Sequence, residues 1–215
     1  MNSMLNAKLS INANGGFLCL STHWRPNPSD IDPDMPGQKI VMNSYIPLQP
    51  EDTCLCGSKK TYADCCRPKR YWHPVCPNPD MMGYSLVAPQ SARYYPVDGI
   101  GLREQLTKDT HLHCVENSAE SSFWVYWGDP ALRDEYGILC FGDIELRDNK
   151  TLIVMAMSNK RMNILLDLLK EITEDKLGAA EITYGKTDEL IIDKLHYKPR
   201  EQKAKQKRKL RRRKR

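Results

Sequence analysis

The chain has 215 residues, 40% hydrophobic and 27% charged, with a formal net charge of +5. That length suits one domain of moderate size with appendages. No apolar run approaches the eighteen or so residues of a membrane-spanning helix, and residues 1–14 lack the charged-then-apolar order of a secretory signal.

Residues 1–50 read as a partly ordered leader. Residues 17–24 have the composition of a strand, and Ile40-Val-Met42 that of a strand fragment. The prolines between them, from Pro26 to Pro36, forbid regular structure there. Phe17, Leu20 and Trp24 are the side chains by which this leader could pack on a core.

Residues 51–70 carry the most informative stretch, Cys54-Leu-Cys56-Gly-Ser-Lys-Lys-Thr-Tyr-Ala-Asp-Cys65-Cys66. Four thiolates this close in sequence suit a tetrahedral metal site. The single residue between Cys54 and Cys56 lets both sulfurs face one side of a tight turn. Gly57 relieves the backbone as it leaves that turn. Ser58 is a candidate N-cap for a short helical turn that returns Cys65 and Cys66 to the metal. Soft thiolates suit zinc, and an all-cysteine shell leaves no open position for chemistry. The expectation is one structural Zn2+. Three alternatives stay open: a pair of disulfides, a set of inert thiols, or a shell in which His73 or Cys76 replaces one cysteine.

These residues resemble the SEC-C motif, C-x-C-G-S…Y…C-C, a small zinc module named for a translocase ATPase tail. Cys54, Cys56, Gly57, Ser58, Lys60, Tyr62, Cys65 and Cys66 carry the resemblance. Leu55 stands where the family usually has proline, and Lys59 where it usually has a second glycine. The resemblance implies zinc binding and docking to a partner protein or the ribosome, and no reaction.

Residues 71–83 read as an extended, proline-rich connector. With Arg67, Lys69 and Arg70, its Tyr71 and Trp72 could stack on single-stranded bases or tuck against a neighbouring domain. Residues 84–199 form the expected α+β domain, a mixed or antiparallel sheet packed by one long helix. Strands are expected at 84–87, 111–115, 123–127, 138–146, 151–157 and 180–184, with a hairpin turn at 147–150. A short helix begins near Asp98, and a last one spans 188–196. The long helix follows Ser158. Its Met162, Leu165, Leu166, Leu169 and Ile172 recur on one face, and Gly178 is its expected stop. Gly142-Asp-Ile-Glu-Leu146, Met157-Ser-Asn-Lys-Arg161 and Leu177-Gly178 also resemble a small domain found beside SEC-C motifs in uncharacterised bacterial proteins.

No constellation in this domain reads as catalytic. His111, His113 and Cys114 are the nearest thing to one, but no acidic or third ligand lies close in sequence. Cys114 and Cys140 sit in apolar contexts that suit inert thiols. Asp143, Glu145 and Asp148 fit a solvated sheet face and turn, and Gly99-Ile-Gly101 lacks the rest of a phosphate loop.

Residues 200–215 hold eleven Lys or Arg and one Glu, a net of +10, which leaves −5 for the rest of the chain. With one leucine and nothing to bury, this tail is expected to be disordered when free. Lys205, Lys207, Arg208, Lys209, Arg211, Arg212, Arg213, Lys214 and Arg215 are the expected polyanion contacts, with RNA, including ribosomal RNA, as the favoured target. The dispersed cysteines Cys19, Cys76, Cys114 and Cys140 suit a reducing cytosol, so a cytoplasmic protein is expected. The functional expectation is a non-enzymatic docking or adaptor protein for a protein, ribosome or RNA partner. The competing one is a hydrolase or nuclease built on His111, His113 and Cys114.

Overall fold

The computed structural model describes residues 15–25, 38–69, 71–118, 120–129, 131, 133–185 and 192–193. The class is α+β: a cysteine cluster, antiparallel strand pairs and, among the described residues, two helices, so the helix expected near Asp98 packs the sheet together with the longer one. The chain divides into two compact units. None of the helices among the described residues is long and apolar enough to cross a membrane.

The first unit comprises residues 1–19, 44–74 and 188–215, and it contains the cysteine cluster. Strand β1 (Gly16–Arg25) begins here, and β2 (Gln38–Tyr45) ends here. β3 (Tyr71–Pro77) takes up the segment expected to be an extended connector. Its prolines exclude helix, but they are compatible with strand backbone wherever no N–H has to be donated to the ladder. Phe17 is fully buried, 6.3 Å from the Tyr62 ring and 5.7 Å from that of His73. Trp72 is buried too, beside Gly16 and the ring of Tyr45. It is therefore a packing residue, not a base-stacking platform. Ile192–Asp193 (β11) pairs with Trp72 and Tyr71, so these two residues of the expected last helix are strand. The rest of that helix lies outside the described residues.

The second unit comprises residues 20–43 and 75–187. Its sheet runs β10 (Glu181–Tyr184), β5 (Gln90–Tyr94), β9 (Thr151–Ala156), β8 (Ile138–Arg147), β7 (Ser121–Trp127) and β6 (Leu112–Asn117), all paired antiparallel. The short β4 (Tyr84–Leu86) pairs with residues 75–77 of β3. Asp148 and Asn149 take left-handed backbone (φ 50° and 52°) in the turn joining β8 to β9, as a tight hairpin demands.

Ala92, Val154, Ile144 and Trp124 are direct cross-strand neighbours, and each is 0% exposed. Two helices cover this row. Helix α1 (Gly99–Lys108) starts at Asp98, whose carboxylate accepts from the Gly101 N–H at 2.9 Å, and it buries Leu102 and Leu106. Helix α2 (Asn159–Thr173) starts at Ser158, whose hydroxyl accepts from the Arg161 N–H, and it buries Met162, Leu165 and Leu169. It ends earlier than expected: Glu174 turns left-handed (φ 50°) and its N–H closes on Glu171 O, directly after the buried Thr173 and short of Gly178. The expected face is otherwise correct, with Leu166 and Ile172 at its margin.

Candidate metal centre

The knuckle is held by backbone bonds that owe nothing to helix. Thr53 bridges Thr61, the Cys54 N–H donates to Lys60 O at 2.9 Å, and the Tyr62 N–H donates to Asp52 O at 2.7 Å. The loop between them presents Cys54 and Cys56. Gly57 leaves it at φ 81°, as expected of a glycine there. Lys59 also takes left-handed backbone (φ 62°), which explains physically why glycine is usual at that motif position.

Ser58 caps no helix. Its hydroxyl oxygen lies 3.1 Å from the Cys65 sulfur instead. The return turn is closed by Thr61, which donates to Asp64 Oδ2 at 2.7 Å, and by the Arg67 N–H donating to Tyr62 O at 3.1 Å. Tyr62 anchors the knuckle through its hydroxyl, which donates to Gly15 O at 2.7 Å. That role could not be inferred from spacing, because its partner lies 47 residues away.

These turns bring the four sulfurs of Cys54, Cys56, Cys65 and Cys66 within 4.8 Å of one another. Cys56 and Cys65 are 3.3 Å apart and Cys65 and Cys66 3.8 Å. A tetrahedron with Zn–S bonds of about 2.3 Å needs sulfur–sulfur edges of about 3.8 Å, so the set fits one zinc with little movement. All four thiols are free, which removes the disulfide reading. Cys54, Cys65 and Cys66 are buried. Neither His73 nor Cys76 belongs to the cluster, and no other metal-competent group occurs among the described residues. The donors are all cysteine sulfurs and the shell is closed. A metal here folds the knuckle and has no site for substrate.

Electrostatics differ across the four. Burial pushes the Cys66 thiol up strongly, with hydrogen bonding to Cys54 adding to it, and burial likewise raises Cys54. Burial also opposes ionisation of Cys56, but hydrogen bonds from the Ser58 side chain and backbone outweigh it. With Cys65 and Cys54 adding to them, they bring Cys56 down to about 6. Without metal, then, Cys56 is the ready thiolate, while Cys54 and Cys66 hold protons at neutral pH. Zinc must displace those protons, so its apparent affinity rises with pH. We expect at least roughly two decades per pH unit near pH 7, from Cys54 and Cys66, steepening below about pH 6 where Cys56 is protonated as well. Competition with a chromophoric chelator at several pH values measures this slope, and a flat profile would rule out proton displacement.

The other sequence candidates do not assemble. His113 stacks on Trp127, with ring centroids 4.4 Å apart, and also touches Trp24. Its burial holds its pKa below the usual histidine range. His111 is exposed at that strand's entry, 3.2 Å from Asp109, so an acidic group does lie close in sequence, contrary to expectation; these residues, His113 and Cys114 nonetheless form no metal-competent group. Cys114 packs against the core, and burial raises its thiol. Lys205, Lys207, Arg208, Lys209, Arg211, Arg212, Arg213, Lys214 and Arg215 lie outside the described residues.

Among families of known proteins, the SEC-C motif matches residues 52–68, which is the knuckle itself. No curated protein and no solved structure matches the chain.

Proposed function

We propose that the protein is a non-enzymatic docking module whose zinc knuckle and basic tail hold an RNA partner, ribosomal RNA included. The closed four-sulfur shell carries this reading, because a shell without an open position can present a surface but cannot activate a ligand. Around that shell Lys59, Lys60, Arg67 and Lys69 are exposed beside Glu51 and Asp64, while three of the four sulfurs are buried, so cations outnumber anions on the knuckle's outer side. The tail adds its net +10. Counterion release by these charges favours a polyanion over a neutral protein surface.

The test is co-sedimentation of the full chain with ribosomes across a salt series. Log affinity should fall linearly with log salt, with a slope of up to roughly −7 if about ten tail charges meet single-stranded phosphates. Deleting residues 200–215 should flatten that slope and weaken binding at low salt by more than about a hundredfold. Binding unchanged by the deletion would remove the tail from the reading. Binding that is salt-insensitive would point to a protein partner instead.

A further inference from the structure

The second unit also contains a cavity of about 410 Å³, within the range of sites for small organic molecules. It lies where β8 changes partners. β9 pairs with β8 back to Gly142, and β1 takes over at Cys140. Phe141, between them, is the extra residue of a bulge, because Tyr126 pairs with Gly142 and Trp127 with Cys140. Bulges disrupt the ladder locally and re-aim side chains, and they are frequent beside binding sites.

The lining has a definite chemistry. Thr183, Ser91, Met155 and Asp143 form one registered row across β10, β5, β9 and β8, and all four line the cavity. Residues registered this way share a face of the sheet. The row offers two hydroxyls, one thioether and one carboxylate, and Phe141 adds an aromatic wall. Arg161 also borders the space and keeps its positive charge, but at least three of its five N–H groups are turned to backbone carbonyls. Its Nε and Nη2 donate to Pro77 O at 3.0 and 2.6 Å, Nη1 donates to Cys140 O at 3.4 Å, and its plane lies over the Phe141 ring at 5.1 Å. A carboxylate has about four acceptor sites, so Asp143 can accept a ligand N–H beside any protein partner.

We infer that this cavity binds a small organic amine, whose cationic nitrogen donates to Asp143 while its apolar body lies across Met155 and Phe141. Thioether–aromatic contact favours an aromatic body over an aliphatic one. Ser91 and Thr183 supply hydroxyls for a second polar group. The site is independent of the zinc knuckle's proposed role, and its test involves neither metal nor RNA.

Ligand-observed NMR on the full chain with 3-phenylpropylamine, 3-phenylpropanol and 3-phenylpropanoate separates the possibilities, since the three share one body and differ in the end group. The amine should bind at least tenfold more tightly than the alcohol, and the acid most weakly. Asp143→Asn, which keeps shape and removes charge, should erase the amine's advantage and leave alcohol binding within twofold. Ser91→Trp should fill the floor of the cavity and abolish binding of amine and alcohol together. If that larger change unfolds the chain by circular dichroism, Asp143→Asn carries the test alone. An amine preference that survives Asp143→Asn, tighter binding of the acid, or no binding of any of the three at about 10 mM would overturn the assignment.

Discussion

Removing zinc from the reduced protein, by chelator or by Cys66→Ser, should erase amide protection across residues 50–70 and leave the strands β7, β8 and β9 protected. The expectation follows from what else could hold the knuckle. It contains no helix, and its one bridge joins Thr53 to Thr61. Tyr62 and Phe17 are buried against each other, which stabilises by about 2–3 kcal/mol for each side chain. Structural zinc in comparable small sites contributes about 10–16 kcal/mol. The metal therefore dominates, and packing alone leaves the thirteen-residue loop open. Loss should spread to residues 15–17, because the Gly15 N–H donates to Arg67 O and Tyr62 donates to Gly15 O. Hydrogen exchange read by mass spectrometry follows both segments at once. Cys56→Ser should release the metal too, although Cys56 is the least buried of the four. Full protection in demonstrably zinc-free protein would mean that the sulfurs merely lie together.

The parts of this molecule that could be read in the sequence are those set by near neighbours. Ligand spacing is local, so the four cysteines could be grouped without knowing the fold. The β8–β9 turn could be placed because only tight turn chemistry fits between two apolar runs, and Asp148 and Asn149 accept left-handed backbone. The long helix announced itself through its apolar face, and its N-cap through Ser158.

What escaped depends on distant partners. β5 alternates buried with half-buried or exposed along Gln90, Ser91, Ala92, Arg93 and Tyr94, yet only Tyr94 looks like a strand residue. Gln90 and Ala92 face inward because β9 and β10 flank them, a fact absent from those five residues. Ser58 met every local requirement of an N-cap, but its hydroxyl lies against the sulfur of Cys65 instead. Gly178 is left-handed, as a helix stop should be, but Glu174 reached that conformation first, once the last core position, Thr173, was buried. The carboxylates of β8 show the same limit. Glu145, its side chain 18% exposed, pairs with the exposed Arg147, whereas Asp143 borders a cavity beside a bulge that strand alternation cannot foresee.

Trp124→Ala should destabilise the second unit by about 3–5 kcal/mol, the usual range for truncating a buried tryptophan. The ring is 0% exposed and lies in the row with Ile144, Val154 and Ala92 beneath both helices, so no surface group can collapse into the space. That loss is a large share of the roughly 5–15 kcal/mol by which domains are stable. Trp124→Phe separates two contributions. The indole Nε1 is buried without a hydrogen-bond partner, a burden of about 1–3 kcal/mol that phenylalanine removes. Phenylalanine also forfeits part of the buried area, so the two terms nearly cancel and the net change should stay within about 1 kcal/mol. Urea unfolding followed by far-UV circular dichroism, with zinc held in excess, measures both variants at a common m-value. An alanine variant within about 1 kcal/mol of the parent would mean that this residue is not the keystone of the core. A phenylalanine variant as unstable as alanine would mean that the indole shape, rather than its burial, sets the packing of α1 and α2.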